Sequence, residues 1–329
     1  MEKLTTGWLS EEWFDGEGAP LFNDVYVLEA GKNAVNLDVL GTGVLNVFGN
    51  VTGLDIAANG VVAAGQNARV QFVNVLKDAS FDLFANADAT RVDVNEGTVN
   101  VLAGGDLIDA TVAGVDAANT GNIFVNADGY AQLVTVNAFG QLHVNGIVED
   151  TTVNANGYMG IGNGGKAWDT FVNGGTFNVF AGGIADDVAV NAGEATIWGN
   201  VDDLNAFGGV TTVQAGGFAV DTVVAGGYVI VAGNGNVDNV EVNTTAGMTL
   251  YAGANVSGDI EMGAGSAVNT FGNSLANANF VFDVTGNVLD KVYIDDLSAF
   301  AGTVGLTIDV DSRLRQGRYI LAGNAAGTY

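Results

Sequence analysis

The chain has 329 residues, and its 10 basic side chains against 37 acidic ones give a formal charge of −27. Nucleic-acid binding needs Lys and Arg to replace phosphate counterions, so this balance argues against a nucleic-acid partner and against an anionic membrane surface. The absence of cysteine excludes a disulfide framework. No apolar run reaches the roughly 18 residues of a membrane-spanning helix, so we expect no membrane insertion of this segment.

Residues 1–24 do not fit the repeat that fills most of the chain. They bring Trp8, Leu9, Trp13 and Phe14 close together in sequence. We interpret the segment as an N-terminal cap, because the end of a solenoid exposes unpaired strand amides and carbonyls; an aromatic docking peptide is the alternative. The first residues lack the apolar core of a secretory signal, which leaves the export route open.

Residues 25–149 carry loose versions of a strand-forming repeat. Apolar residues alternate with polar ones from Val25 onward, which predicts strands with one buried face. Longer loops are predicted around 77–88 and 116–126, where insertions are expected to leave the solenoid at its corners.

The repeat becomes sharp between Asp150 and about Gly265. A lead residue followed by an alternating run recurs about every 18 residues, a period typical of a solenoid whose units cannot bury their apolar faces alone. The lead residues are Asp150, Asp169, Asp187, Asp203, Asp221, Asn239 and Asp259.

Each sharp unit has the same internal order. The positions one and three after the lead residue are apolar or Thr, as at Val188 and Val190, and the position between them varies. A Gly-rich turn, a second alternating run and a closing Gly follow, so the unit reads as strand, turn, strand, turn. If successive units superimpose, each strand pairs in parallel with the same strand of the next unit. The predicted fold is all-β, a parallel β-helix of about a dozen coils.

The pattern changes from about Leu275, where a closing β module is predicted. Its alternating segments are 280–284, 292–294, 304–310 and 318–321, and its basic cluster is Arg313, Arg315 and Arg318. The module is either a C-terminal cap or the start of a further domain. The predicted division is therefore a cap over 1–24, β-helix repeats over 25–274 and a C-terminal β module over 275–329.

Four of the sharp units share one motif. They read Thr152-Val-Asn-Ala-Asn-Gly157, Thr170-Phe-Val-Asn-Gly-Gly175, Val188-Ala-Val-Asn-Ala-Gly193 and Thr222-Val-Val-Ala-Gly-Gly227. This motif resembles the repeat of AIDA-type adhesins, bacterial surface proteins of the autotransporter class. The resemblance implies a right-handed β-helix displayed outside the cell and working in adhesion or cell-to-cell aggregation, and right-handed crossovers are the rule between parallel strands.

The lead aspartates are the first candidate site, because stacking would place them in one column along a corner. Carboxylates about 5 Å apart repel each other unless solvent or cations screen them. We interpret each as a corner residue whose short side chain binds turn amides; the alternative is a groove for divalent cations.

Two further columns stand out. We interpret Asn137, Asn154, Asn173, Asn191 and Asn243 as a structural stack at a left-handed corner rather than a ligand site. The aromatic residues Tyr158, Trp168, Trp198, Tyr228 and Tyr251 either form a glycan-stacking strip or, as we favour, pack on the Gly turns.

The repeats contain few residues that could serve as catalytic groups. A β-helix lyase needs a base, and the sharp repeats offer only Lys166, with the lone His143 before them and expected to point outward. A hydrolase needs paired carboxylates, but in pairs such as Asp186-Asp187 neighbouring strand residues should face opposite ways. The sequence predicts no enzyme and no catalytic, cofactor-binding or metal-binding residues.

The function that fits best is a non-catalytic extracellular β-solenoid of a bacterial surface protein. It is expected to act in adhesion or self-association as a rigid displayed stalk, with itself or with surface glycans or proteins as partners. One alternative is a subunit of an extracellular filament formed by end-to-end strand pairing. A β-helix polysaccharide-degrading enzyme is the other.

Overall fold

The computed structural model consists of β-strands stacked as coils. It describes residues 8–9, 13–15, 20–57, 59–244, 246–263, 265–271, 279–284, 291–294, 305–310 and 322–323. Within these ranges the chain forms about 14 turns of a right-handed parallel β-solenoid and no helix. The predicted fold class is confirmed. None of the described residues belongs to a helix long and apolar enough to cross a membrane.

Two compact units divide the chain, residues 1–168 and 169–329. The strands of the first unit are β1 Trp8–Leu9, β2 Trp13–Asp15, β3 Pro20–Phe22, β4 Val25–Leu28, β5 Asn33–Leu40, β6 Val44–Val47, β7 Asn50–Ile56, β8 Val61–Ala64, β9 Arg69–Val75, β10 Ser80–Leu83, β11 Asp88–Asn95, β12 Thr98–Val101, β13 Asp106–Ala113, β14 Gly121–Val125, β15 Tyr130–Val136, β16 Gly140–Val144, β17 Ile147–Asn154 and β18 Tyr158–Ile161.

Strand β19 spans Lys166–Val179 and carries the chain into the second unit. The strands that follow are β20 Ile184–Ile197, β21 Asn200–Ala206, β22 Val210–Val213, β23 Phe218–Val224, β24 Tyr228–Val231, β25 Asn236–Val242, β26 Gly247–Leu250, β27 Asn255–Met262, β28 Ala267–Thr270, β29 Asn279–Val284, β30 Lys291–Ile294, β31 Gly305–Val310 and β32 Ala322–Gly323.

Strands of neighbouring coils pair in parallel and in register. In the first unit Val134 lies beside Ala110 and Val136 beside Val112. In the second unit β23 pairs with β25, and the same position of the repeat again meets itself one coil away. This coil-over-coil registry is what the 18-residue period predicted.

In the coil of Asp259 the left-handed residue is the preceding Gly258, and in the other sharp coils it is the lead residue. Its φ is +53° at Asp150, +52° at Asp187 and +46° at Asp221. A left-handed residue interrupts the in-and-out alternation, so that Ala185 and Val188, three positions apart, are both fully buried. The long strand therefore has two inward-facing segments on either side of a corner, and the predicted unit of two straight strands omitted the segment before the lead residue.

The interior is filled by small and medium apolar side chains, mostly Val, Ala and Leu, with Phe81 and Phe177 the largest that are fully buried. Some inward positions carry Thr instead. The hydroxyls of Thr151, Thr170, Thr211 and Thr222 are buried without a hydrogen-bond partner among the described residues. Thr has nearly the shape of Val, so these positions keep the packing but bury a polar group that costs free energy.

The predicted end segments also contain paired strands. β1 pairs in parallel with β4, and β2 and β3 both pair with β5. The side chains of Trp8 and Trp13 are not among those that the structure describes. At the other end β29 pairs with β27 and β31. The predicted strands at 280–284 and 292–294 are thus confirmed, as is 304–310 over its described part, 305–310. Residues 304 and 318–321 and Arg313, Arg315 and Arg318 lie outside the described residues. The domain boundaries stay a prediction.

One of the two predicted long loops is wrong. Residues 77–88 contain the regular strand β10, because the polar side chains of this segment occupy the outward positions of a normal coil. The other predicted loop corresponds to the turn at 114–120 between β13 and β14. It sits at a corner, as expected for an insertion.

Replacing a buried hydroxyl should stabilise the protein. On β22, Thr211 is fully buried without a partner and Thr212 points outward. We expect Thr211→Val to raise the free energy of unfolding by about 1–2 kcal/mol, because it removes an unsatisfied polar group at constant shape. Thr212→Val, measured by the same denaturant titration, should change it by less than about 0.5 kcal/mol. Equal effects at both positions would contradict this account.

The left-handed corner should reject β-branched residues. Asn tolerates positive φ and Val does not, so Asp187→Val should be less stable than Asp187→Asn by about 1–2 kcal/mol. Both variants remove the same charge, which makes Asn the matched control. Ala189→Val, two positions further along the strand, should be close to neutral in the same thermal and chemical unfolding experiments.

Candidate functional site

Acidic side chains converge at one corner of the second unit. Strands β20, β21, β23 and β27 carry the lead residues Asp187, Asp203, Asp221 and Asp259. In the register of β20 and β21, Asp186 lies beside Asp202 and Val188 beside Leu204, which places Asp187 and Asp203 in successive coils of one column. We call this column and the acids beside it the acidic corner.

The carboxylates of the acidic corner approach each other closely. One carboxylate oxygen from each of Asp186, Asp187 and Asp203 lies within 4.8 Å of the others, and Asp202, Asp203 and Asp221 form a second such group. We expected Asp186 and Asp187 to face opposite ways, and this was wrong. The left-handed conformation of Asp187 interrupts the strand alternation at this point.

Crowding within the corner raises the pKa of Asp203. Its pKa is raised above 3.8, first because the crowded corner removes hydration and then because Asp187, Asp202, Asp186 and Asp221 repel its charge. The sequence has no Lys, Arg or His between Lys166 and Lys291 to offset these charges. Several carboxylate oxygens together are what a hard divalent cation prefers, so the cation-binding alternative retains a suitable set of donors.

Three of the lead carboxylates accept hydrogen bonds from side-chain amides, a kind of partner that the turn interpretation did not predict. Asp221 accepts a hydrogen bond of 3.1 Å from the Asn239 side chain, and Asp259 accepts one of 2.8 Å from Asn279. In the first unit Asp150 accepts one of 2.9 Å from Gln132. These partners are side-chain amides of neighbouring coils, because an outward-pointing corner residue meets the coil next to it.

The asparagine column is a hydrogen-bonded stack, as interpreted from sequence. Asn154 donates to Asn137 at 2.9 Å in the first unit, and Asn191 donates to Asn173 at 2.8 Å in the second. The column lies next to left-handed turn residues, although the asparagines themselves do not have positive φ. Positive φ occurs instead at nearby turn residues, such as Gly174.

A groove lies beside the acidic corner on the second unit. Its lining residues are Asp203, Asn205, Asp221, Thr222, Val223, Asn239, Val240, Glu241, Asp259 and Glu261. Asn205, Val223, Glu241 and Glu261 occupy the outward position between the two buried residues that follow each lead residue. Sequence reasoning treated that position as free to vary. Its alternation with buried neighbours was the signal that could have identified it as one surface.

The groove meets one of two requirements of a sugar-hydrolysing site. Its acids converge, and Asp203 has a raised pKa. Its outward apolar side chain is Val223, however, and its lining contains no aromatic residue that a sugar ring could stack on. The arrangement is better suited to attracting positive charge than to positioning a sugar.

Three of the five aromatic residues, Trp198, Tyr228 and Tyr251, stack on another ring or lie over a glycine. Trp198 stacks on Phe180 with ring centroids 5.5 Å apart, and Tyr251 stacks on Phe271 at 5.6 Å. The Tyr228 ring packs over Gly247, where an added Cβ would lie only 2.7 Å from the ring atom Cε2. One face of each of these rings is packed, which agrees with the packing interpretation, while Tyr251 is still 49% exposed, so the glycan-stacking alternative stays a prediction for it.

His143 lies on the outward side of β16, between the buried Leu142 and Val144. Its ring stacks on Phe124 with centroids 4.8 Å apart, and Nε2 is 3.1 Å from the Gln141 side-chain oxygen. Partial burial lowers the pKa of His143. The expected outward orientation is confirmed, and the ring belongs to an aromatic stack.

No protein-family model matches the chain, and no curated protein matches it. Among solved structures, the chain is similar to a TibC-catalysed hyper-glycosylated fragment of TibA, with a TM-score of 0.72 and 24% sequence identity. The match covers 81% of this chain and 99% of that chain. The Streptococcus pneumoniae surface protein and adhesin PfbA aligns with a TM-score of only 0.19 and 8% identity, over 96% of this chain and 90% of that chain, and supports no inference.

The TibA likeness concerns architecture. At 24% identity it shows a common fold, and function has to be argued from the chain's own surface. The chain thus has the solenoid fold of the TibA fragment, as the resemblance of its repeats to those of AIDA-type adhesins implied.

Proposed function

We propose that this chain is a non-catalytic segment of a bacterial surface protein, displayed outside the cell and acting in adhesion or self-association as a rigid stalk. The observation that carries the proposal is the in-register parallel pairing within each unit. Such pairing fixes each coil on its neighbours through backbone hydrogen bonds and leaves the outward positions free for partners. The AIDA-type repeats supply the adhesive interpretation.

The comparison with TibA adds one consideration. The solved TibA fragment is hyper-glycosylated, so a solenoid of this fold has an outer surface that a modifying enzyme can reach. The same accessibility would serve a displayed adhesin, whose partners are a second copy of the chain or surface glycans and proteins.

A filament subunit is the second candidate. The specific observation in its favour is that β1, β2 and β3 continue the parallel ladder of β4 and β5. Because these strands extend the ladder, they resemble a further coil more than a cap that closes the end of the solenoid. A strand edge of another molecule could therefore pair with them.

Display and microscopy test the proposal together. Bacteria that carry the chain on their surface should aggregate or adhere to host or bacterial surfaces, whereas cells displaying an unrelated stalk should not. Electron microscopy of the purified chain over a range of concentrations should show single particles, with lateral clusters as the concentration rises. Long end-to-end polymers would favour the filament, and cells that neither aggregate nor adhere would contradict the proposal.

Self-association should depend on pH and salt, because like charges on the acidic corner oppose contact between copies. The folded-state pKa of Asp203 is raised above 3.8, so this carboxyl takes up a proton at a pH where an ordinary aspartate is still ionised. The repulsion that the ionised Asp203 exerts on a second copy is present above the raised pKa and is lost as the pH falls through it. Light scattering should therefore show more association as the pH falls from neutral, and also with added salt.

A matched pair of variants checks this dependence. Asp203→Asn should begin to associate at a higher pH than the wild type. Asp116→Asn removes a carboxylate whose pKa is lowered, mainly by the Ala118 amide, and should leave the profile unchanged. Association that grows as the pH rises would contradict this account.

A further inference from the structure

We propose that one outward sheet face of the second unit is a docking surface for a basic, partly apolar peptide segment of a partner protein. The docking face consists of the outward residues two positions after each lead residue, bordered by the lead carboxylates. These outward residues are Phe171, Ala189, Asn205, Val223, Glu241 and Glu261.

Three of the first four outward residues of the docking face are apolar. Phe171 is 45% exposed, and Ala189 and Val223 are partly exposed at the same position of later coils. The position that corresponds to Val223 one coil earlier is Asn205, and Phe207, 52% exposed, is the next outward residue after it. Phe171, Ala189, Val223 and Phe207 together form an apolar strip that Asn205 interrupts, and a partner that covered it would remove apolar surface from water.

The border of the docking face carries charge of one sign. Asp187, Asp203, Asp221 and Asp259 lie along one side, and Glu241 and Glu261 line the groove itself. No basic residue occurs between Lys166 and Lys291 to neutralise them. Charge complementarity therefore selects a cationic partner, and the apolar strip selects one whose Lys or Arg residues are accompanied by apolar side chains.

The groove suits a short stretch of peptide. Its lining runs from the coil of Asp203 to that of Asp259, and three coil steps of about 4.8 Å span roughly 14 Å. An extended peptide rises about 3.3 Å per residue, so about four to five residues fit along this length. The aliphatic stem of a Lys could lie on Val223 while its ammonium group reaches the surrounding carboxylates.

The equivalent face of the first unit lacks these features. Its outward positions carry polar residues such as Asp38, Asp55, Asp93 and Thr135. Its corner also contains a positive charge, because Arg91 lies over the Phe72 ring and 3.9 Å from Asp109. The combination of an apolar strip with unneutralised acids is therefore a property of the second unit, and the first unit supplies a control surface within the same protein.

The inference rests on the proposed surface display for its biological setting, since a displayed solenoid meets the proteins of other cells. The binding itself does not depend on display. A soluble binding experiment can therefore fail while adhesion holds, and cells can fail to adhere while the peptide binds.

Fluorescence anisotropy with the whole chain tests the proposal. The probe is a short labelled peptide of Lys, Leu and Gly, compared with equal-length peptides in which Glu replaces Lys or Gly replaces Leu. We expect the Lys/Leu peptide to bind, more weakly as salt rises. The Glu peptide should not bind, and the Lys/Gly peptide should bind about tenfold more weakly because it leaves the apolar strip uncovered.

Charge-matched variants locate the site. The triple variant Asp203→Asn, Glu241→Gln, Glu261→Gln should weaken Lys/Leu binding about tenfold or more. The triple variant Asp38→Asn, Asp55→Asn, Asp93→Asn removes the same charge from the first unit and should weaken it less than about twofold. Circular dichroism and thermal unfolding of each variant confirm that it folds.

Three results would overturn the proposal. Equal weakening by both triple variants would mean that only the overall charge matters. Equal binding of the Lys/Leu and Lys/Gly peptides would mean that the apolar strip plays no part. A Lys/Leu peptide that does not bind, beside a saturable uptake of Ca²⁺ that the Asp203 triple variant abolishes, would identify the groove as a cation site.

Discussion

Each coil of this protein has to return to its starting point one strand spacing further along, because the strand amides and carbonyls find their partners on neighbouring coils. The left-handed lead residue makes this closure possible within about 18 residues. Asp187 has the required positive φ, and the apolar residues on both sides of the corner then point into the same interior. Registry, burial and the exposed columns all follow from this one closure.

Registry also has a cost, since it places like residues beside like. Where the repeated residue is an amide, the result is favourable: Asn191 donates to Asn173, and further amides follow the same scheme. Where the repeated residue is a carboxylate, neither neighbour can donate, and lost hydration together with repulsion raises the pKa of Asp203. The amide of Asn239, which replaces an Asp in this column and donates to Asp221, relieves one step of the repulsion. The first unit relieves it differently, by placing Arg91 beside Asp109.

Much of the fold was predictable because period and alternation are both visible in the sequence. Val188, Val190, Val240 and Val242 are all buried, as the alternation predicted. The conformation of the corner was harder to predict, since Phe72, Arg91 and Leu133 have the same positive φ as the lead aspartates. For side chains that rarely take this conformation the coil geometry overrides local preference.

The candidate site could be predicted only in part, because the corner conformation could not be inferred from the sequence. The column of acids followed from the period, whereas the approach of Asp186 and Asp187 to Asp203 depended on a corner conformation that strand alternation hides. Glu241 and Glu261 were recognised as outward residues. Their place in one groove with Asp221 required the coils to be stacked in three dimensions.

The turn at 114–120 shows how the solenoid accommodates extra chain. It leaves one corner between β13 and β14, and Lys77 binds it through Asn119 at 2.8 Å. The strands beyond it keep their pairing, with Thr98 still beside Asn122 and Val101 beside Val125. Length added at a corner is therefore absorbed locally. A foreign epitope or enzyme grafted at this point would be carried on the outside of an intact scaffold. The insertion would add a new element to the protein and leave the pairing of the coils unchanged.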